Sequence, residues 1–214
     1  MILTVFDTET SGLNPDKHEI LEIALLTFII DNDGEEHILK QYEQKLKPKN
    51  IHLANSRALQ INGYSEEAWK DSIEFEAAYG DINDIFEKSD ILLGQNLIFD
   101  IRFLDEMCKR SSLSYPDYPA YIDTKEMADK LVRAEWIKKS GMDYLVEHYG
   151  VVTKGRAHTA LADCWRTYEV WKKLLVDCGE EYQVFTADEP YDYYSRRRGS
   201  VSYTHLTLPT KRIV

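Results

Sequence analysis

The chain has 214 residues, a length that is enough for one sizeable core. Hydrophobic residues make up 43% of it and charged residues 29%, which is ordinary for a globular protein. Its formal net charge of −11 excludes a general nucleic-acid coat, which would present a broad basic face. Three cysteines at irregular spacing argue against a disulfide framework and favour a reducing, cytoplasmic compartment. The apolar runs are too short to span a bilayer, so no membrane span is expected, and no secretory signal is expected either.

The first quarter of the chain predicts an antiparallel meander. "ILTVF" reads as a buried strand and "HEILEIALLTFIID" as a second, because both are rich in β-branched or aromatic residues. "DNDG", residues 31–34, predicts a hairpin turn in which Gly34 can take a positive φ. "EEHILKQYEQKLKP" then returns as a third strand that ends at Pro48.

Helices and short strands alternate beyond this meander. A short helix with a turn at Asn62-Gly63 comes first, and Ser72 is then predicted to cap a helix with apolar residues at helical spacing. The later patterns are "ILLG" with a helix from Asn96, "AYIDT" with the helix "KEMADKLVRAEW", and the helices "MDYLVEHYG" and "HTALADCWRTYEVWKKLLVDC". The predicted fold class is α/β, with a mixed β-sheet (antiparallel meander, then parallel strands) and helices on both faces.

The C-terminal stretches differ from the rest. Residues 179–199 are polar, acidic and then basic without a clear period, which predicts a flexible tail. Residues 200–214 correspond to the translation of a transposase-type sequencing-library adapter, and we expect them to be non-native; a genuine β-prone tail is the alternative. The folded domain is therefore expected over residues 1–178.

Two acids stand at the end of the first strand, in "FDTET". Residues i and i+2 of a strand share a face, so Asp7 and Glu9 project side by side. Two adjacent carboxylates repel one another and are costly to bury, whereas a hard divalent cation such as Mg²⁺ or Mn²⁺ would hold both. A solvated strand end with two surface acids is the alternative.

Two later segments place further acids at the starts of helices. In "GQNLIFD", Asn96 is a good N-cap residue and Asp100 follows four residues later in an almost wholly apolar context. In "HTALADC", His158 is expected in the loop that enters the last helix and Asp163 in the first turns of that helix. An acid that only complements a helix dipole, or a histidine that only caps a helix, is the simpler explanation of either segment alone.

Taken together, D-x-E, N-x-x-x-D and H-x-x-x-x-D in this order resemble the DnaQ-like 3′→5′ exonucleases, in the histidine-containing branch (DEDDh) of the DEDD superfamily. The resemblance covers residues 2–175 and includes "SGL", "ILEIALL", "ALQINGY" and "IDT". It implies a ribonuclease H-like fold and an enzyme that hydrolyses phosphodiester bonds at the 3′ ends of nucleic acid, releasing nucleoside 5′-monophosphates. DNA proofreading or repair is the leading role, with RNA 3′-end trimming as the alternative.

The resemblance also implies roles for particular residues. Asp7, Glu9, Asp100 and Asp163 would hold two divalent cations, Mg²⁺ or Mn²⁺, and His158 would be the general base. These five positions are all filled. The partner would be a single-stranded 3′ end, and a DNA polymerase subunit is a second partner that the family suggests.

The same analogy supplies candidates that would contact the terminal nucleotide. They are Thr8, Thr10 and Leu13 beside the first two acids, Asn62 in "INGY", and Asn96. Leu13 would wedge against the base. Each of these residues could instead serve only the fold: the threonines as strand residues and Leu13 as a core residue.

Two other classes of protein remain as alternatives. A phosphatase with an aspartate nucleophile in a D-x-D motif fits less well, because the second acid is Glu9 and the pair His158/Asp163 has no role in that mechanism. A non-enzymatic nucleic-acid-binding module would not need all five positions to be intact.

Overall fold

The computed structural model describes residues 1–31, 34–152, 155 and 158–179. Asn32 and Asp33 of the predicted hairpin turn, residues 180–199 of the predicted tail and the whole of residues 200–214 lie outside the described residues, so the predicted domain limits stay predictions. Gly34 of the turn has a φ of 81°, as expected. None of the described helices combines the length and apolar character needed to cross a membrane.

Five strands form one mixed sheet in the order β3-β2-β1-β4-β5. Their bounds are β1 Ile2–Thr10, β2 Ile20–Ile30, β3 Glu36–Lys45, β4 Ile91–Gly94 and β5 Ala120–Asp123. The pairs β1/β2 and β2/β3 are antiparallel, whereas β1/β4 and β4/β5 are parallel, which confirms the predicted meander and parallel strands. The carboxyl ends of β1, β4 and β5 therefore meet at one edge of the sheet, where open α/β sheets commonly bind ligands.

Helices cover both faces of this sheet. They are α1 Ser56–Asn62, α2 Phe75–Glu87, α3 Leu97–Arg110, α4 Thr124–Arg133, α5 Met142–Tyr149 and α6 Ala160–Cys178, with one 3₁₀ turn at Ile51–Leu53. Val5 and Phe6 are neighbours in β1 and point to opposite faces: Val5 packs in the core beneath α4, α5 and α6, and Phe6 packs beneath α2 and α3. Burial on both faces explains why β2 is almost continuously hydrophobic.

The predicted cap of α2 is wrong. The Ser72 hydroxyl donates to the carbonyl of Trp69 at 2.6 Å, and the residue that precedes the helix is Glu74. Ile73 is the reason, because it bridges to Leu46 and exchanges backbone hydrogen bonds with the chain that leaves β3. Its backbone is therefore extended, and the helix cannot begin until this bridge has ended.

Helix α4 is shorter than predicted. It ends at Arg133 rather than at Trp136, because Glu135 takes a positive φ of 62° and the Trp136 backbone N–H donates back to the carbonyl of Leu131 at 3.0 Å. Helix α5, in contrast, ends where expected, with Gly150 in the left-handed conformation.

Candidate active site: a carboxylate cluster at one edge of the sheet

The end of β1 carries two carboxylates on one face of the sheet. Asp7 lies opposite Ala24 and Glu9 lies opposite Glu22, and the register shifts directly after Glu9. Opposite residues of an antiparallel pair share a face, so Glu9 and Glu22 lie side by side. Glu22 is only 4% exposed. The buried face at this strand end therefore carries three acids.

Helix α3 brings a fourth carboxylate to the same strand. Asp100 lies in its first turn and is 4% exposed. One oxygen of Asp100, Oδ1, accepts a hydrogen bond from the Thr8 backbone N–H at 2.9 Å and another from the Thr8 hydroxyl at 2.6 Å. The Thr8 side chain therefore fixes an acid of the cluster.

The start of helix α6 completes the cluster. Asp163 lies in the first turn of this helix, and His158 precedes the helix as expected. Single ligand atoms of Glu9, His158 and Asp163 all lie within 4.8 Å of one another. His158 is exposed and has a φ of 63°, a conformation that is uncommon for residues other than glycine and is often found at functional sites. The three sequence segments thus converge on one place.

Two further charged residues belong to this cluster, and the sequence analysis did not identify them. One is Glu22, whose place beside Glu9 depends on the pairing register of β1 and β2. The other is Arg166, whose Nη1 donates to the Asp163 Oδ1 at 3.1 Å. The three-residue spacing of Asp163 and Arg166 on a helix was a usable signal for Arg166.

Mutual repulsion and burial shift the ionisation of these acids. Burial, followed by the carboxylates of Asp163, Glu22 and Asp100, raises the pKa of Glu9 to about 8. Burial and the same kind of repulsion raise the pKa of Asp7 well above its ordinary value. Burial raises the pKa of Asp100 to about 7 in spite of its bonds from Thr8. The acids of the cluster thus lack positive charge to offset their burial and mutual repulsion, as is expected of a cation-binding centre.

The pKa of Asp163 is subject to opposing influences, from burial on one side and from a neighbouring cation and a histidine on the other. Burial raises its pKa, whereas the Arg166 guanidinium and the His158 side chain act in the opposite direction. Burial and then Glu43 raise the pKa of Glu22 to about 7, although the backbone of Ala160 and the charge of Lys45 act in the opposite direction.

Asp123 supports the start of α3, which corrects the expectation for Asn96. Asn96 precedes the helix with a φ of 61°, and its side chain makes no capping hydrogen bond with the described residues. The Asp123 carboxylate accepts instead from the backbone N–H groups of Asn96 at 2.8 Å and Leu97 at 3.1 Å. It also accepts from the N–H of Lys125 at 2.9 Å, so one buried acid caps both α3 and α4.

The loop after β1, the strand that carries Asp7 and Glu9, exposes one leucine. Leu13 is 84% exposed, so it is not a core residue. The preceding Gly12 lies against the ring of His18, and a Cβ at this position would come within 2.5 Å of that ring. The loop is further tied by the hydroxyl of Thr10, which donates to the Gly12 carbonyl at 2.7 Å.

The remaining two nucleotide-binding candidates differ in exposure. Asn62 is buried, and its Nδ2 donates to the Thr10 carbonyl at 2.9 Å, so its amide supports the strand end that carries the acids. Asn96 is exposed near the start of α3. Their contact with a nucleotide stays a prediction.

Five carboxylates and a histidine thus gather at one edge of a mixed sheet, and the fold of that sheet is ribonuclease H-like. The RNase_T exonuclease family model matches residues 4–171, so the chain belongs to this exonuclease family.

Two curated relatives show how the chain compares with whole proteins. It is 29% identical over 171 residues to a PolC-type DNA polymerase III of Thermotoga petrophila, covering 80% of this chain and 12% of the polymerase. It is 27% identical over 189 residues to the ribonuclease T of Buchnera aphidicola, covering 80% of this chain and 82% of that protein. The chain thus spans only a small part of the polymerase but most of the ribonuclease.

Two solved structures share the fold. One is the nuclease domain of 3′hExo, a DEDDh family member, bound to rAMP, with a TM-score of 0.69, 18% identity, and coverage of 86% of this chain and 96% of that one. The other is E. coli Exonuclease I in complex with a dA16 oligonucleotide, with a TM-score of 0.65, 21% identity, and coverage of 82% and 41%.

Proposed function

We propose that the protein is a metal-dependent 3′→5′ exonuclease that removes nucleoside 5′-monophosphates from the 3′ end of a nucleic-acid strand. The observation that carries this proposal is the convergence of three separate segments on one edge of the sheet. They bring Asp7, Glu9, Asp100 and Asp163 together with His158, and the ligand atoms of Glu9, His158 and Asp163 lie within 4.8 Å of one another.

The residues present fit a pair of hard divalent cations. The centre offers carboxylate oxygens, which Mg²⁺ and Mn²⁺ prefer, and the raised pKa values of Asp7 and Glu9 show that the bare cluster is electrostatically unsatisfied. We propose that Asp7, Glu9, Asp100 and Asp163 together would hold these cations. When bound, such cations activate the attacking water and stabilise the departing 3′ oxygen.

The chain's own residues would hold the reacting groups in place. His158 would accept the proton of the attacking water, because an imidazole is the commonest general base and this one lies exposed beside Glu9 and Asp163. Thr8 would keep Asp100 oriented through its two hydrogen bonds. Leu13 would pack against the terminal base from its exposed position in the loop after β1.

We propose single-stranded DNA as the substrate, with proofreading or repair as the role and a DNA polymerase as the partner. The similarity to the PolC-type polymerase supports this choice, although the chain spans only 12% of that protein. RNA 3′ ends are the second candidate, favoured by the similarity to a ribonuclease T over 82% of the length of that protein. The two substrates differ in the 2′-OH that the pocket must accept or reject.

A digestion of end-labelled strands tests both points. Single-stranded DNA and RNA of one sequence, labelled at the 5′ end, are incubated with the protein and Mg²⁺ or Mn²⁺. We expect a ladder that shortens from the 3′ end, its loss in Asp7→Asn, and its retention in Asp105→Asn. Asp105 is a suitable control because it is a buried carboxylate bonded to Tyr118 outside the cluster.

The relative rates on the two strands assign the substrate. Faster shortening of DNA supports the proposed role, and faster shortening of RNA supports the second candidate. Cleavage of neither strand, or cleavage that Asp7→Asn does not affect, would contradict the proposed exonuclease.

A further inference from the structure

Arg166 is a cation that contacts the carboxylate cluster. Its side chain is only 12% exposed, and its Nη1 donates to the Asp163 Oδ1 at 3.1 Å. A second carboxylate, that of Asp143 at the start of α5, lies 4.0 Å away and is 90% exposed. The close partner of this nearly buried guanidinium is therefore one of the acids proposed to hold a cation.

The placement of Arg166 is not explained by hydrogen bonding alone. Its Nε is buried and has no hydrogen-bond partner among the described residues. An arginine stays charged in proteins, and burial of a cation is costly unless acids offset the charge. Asp163 supplies one such acid directly, and Glu9 lies within reach of Asp163. The excess negative charge of the cluster is thus what makes this position favourable for a guanidinium.

We propose that Arg166 is a positioning residue for Asp163 and the built-in counter-charge of the cluster when no divalent cation is bound. This inference rests on the proposed metal-dependent function. The guanidinium occupies one oxygen of Asp163, which fixes the carboxylate and leaves the other oxygen outside this hydrogen bond. Its charge offsets part of the repulsion among the acids that β1, α3 and α6 bring together.

A bound divalent cation would share Asp163 with this fixed positive charge. Removal of the charge should therefore have two effects of opposite direction. The metal-free protein should become less stable, because the carboxylates lose a counter-charge. Divalent cations should bind more tightly, because a nearby like charge no longer opposes them. A residue that served only packing would lower the stability equally with and without the cation, and its loss would leave the affinity for the cation unchanged.

The test compares Arg166→Met, which removes the charge at similar length, with Arg166→Lys, which keeps it. Lys172→Met is the matched control, because Lys172 lies on the same helix, is 22% exposed and pairs with Glu36 and Glu169 instead of the cluster. Mn²⁺ binding is measured from the electron paramagnetic resonance signal of free Mn²⁺. The Tm is measured in excess EDTA and again in saturating Mn²⁺.

We expect Arg166→Met to bind Mn²⁺ about tenfold more tightly and to lose more Tm in EDTA than in Mn²⁺. Arg166→Lys should keep the wild-type affinity, and Lys172→Met should lower both Tm values equally. Unchanged or weaker Mn²⁺ binding by Arg166→Met, or equal losses of Tm in both conditions, would overturn the inference alone. A wild-type protein that binds no Mn²⁺ would overturn the proposed function as well.

Discussion

At the scale of single residues, Thr8 was predicted to touch the nucleotide, which stays a prediction, and the structure shows that it also holds one of the acids. Its hydroxyl and its backbone N–H both donate to Oδ1 of Asp100, a carboxylate that is almost fully buried. The hydroxyl is therefore committed to the orientation of this acid. The strand pattern alone could not show this bond, because Asp100 is 92 residues distant in the chain.

Replacement of Thr8 by valine should separate the contribution of the hydroxyl from that of the side chain's shape and the backbone N–H. Thr8→Val keeps the β-branched shape and the backbone N–H but leaves Asp100 with one bond fewer. We expect about a tenfold loss of exonuclease rate and a destabilisation of about 1 kcal/mol, measured by strand digestion and by urea unfolding. Thr8→Ser, which keeps the hydroxyl, should restore most of both; equal losses in the two variants would contradict this role.

Leu13, unlike the buried Thr8, is exposed to solvent. Because it is 84% exposed, Leu13→Ala should leave the Tm unchanged. If it packs against the terminal base, the variant should raise the KM for a single-stranded substrate about fivefold, which corresponds to about 1 kcal/mol of lost apolar contact. Val152→Ala, at an 87% exposed valine, is the control and should change neither value. An unchanged KM in Leu13→Ala would remove Leu13 from the substrate pocket.

At the scale of elements, the buried carboxylate of Asp123 joins two helices. It ends β5, begins α4 and accepts the first N–H groups of α3, the helix that carries Asp100. Sequence spacing predicted both helices and placed Asp100 at the start of α3. It assigned the cap to Asn96, because the contact between Asp123 and α3 depends on the parallel pairing of β4 with β5, which is not local in sequence.

Asp123→Asn should therefore affect stability and activity together. The amide cannot accept all three N–H groups in the same way, so we expect a loss of about 2 kcal/mol of unfolding free energy and a lower kcat. Asp105→Asn replaces another buried carboxylate, which interacts with Tyr118. This control should lose stability without a change in kcat. A full kcat in Asp123→Asn would show that the shared cap does not position Asp100.

The order of the helices and strands could largely be predicted, because it depends on patterns that are local in the sequence. The meander, the parallel strands and the residues Asp7, Glu9, Asp100, His158 and Asp163 follow from local periodicity and spacing, together with the family resemblance. The cap of α2 failed because Ser72 precedes a bridge that links Ile73 to Leu46. Glu22 escaped notice because strand register, which sets its contact with Glu9, is not visible in one segment.

At the scale of the whole molecule, the cluster links stability to pH. Its acids have raised pKa values, about 8 for Glu9 and about 7 for Asp100 and Glu22. A raised pKa means that the folded state holds protons that the unfolded state has already released. The contribution of these groups to stability is therefore full at low pH and is lost as the pH rises from about 5 to about 8.

The metal-free protein should accordingly have a lower Tm at pH 8 than at pH 5.5, by several degrees. A divalent cation binds the ionised acids, so the rise in Tm on addition of Mn²⁺ to EDTA-treated protein should be larger at pH 8. Glu9→Gln removes one of the titrating groups and should flatten the dependence of the metal-free Tm on pH. A metal-free Tm that is constant or rises across this interval would contradict the electrostatic description of the cluster.

We have proposed that residues of β1, α3 and α6 build one centre for two cations. Anomalous diffraction from crystals of the protein grown with Mn²⁺ and a nucleoside 5′-monophosphate would locate these cations. We expect two Mn²⁺ peaks about 3.5–4 Å apart beside Asp7, Glu9, Asp100 and Asp163, with the monophosphate beside Leu13. Peaks that lie away from Asp7, Glu9, Asp100 and Asp163, or the absence of any peak at these side chains, would contradict this proposal.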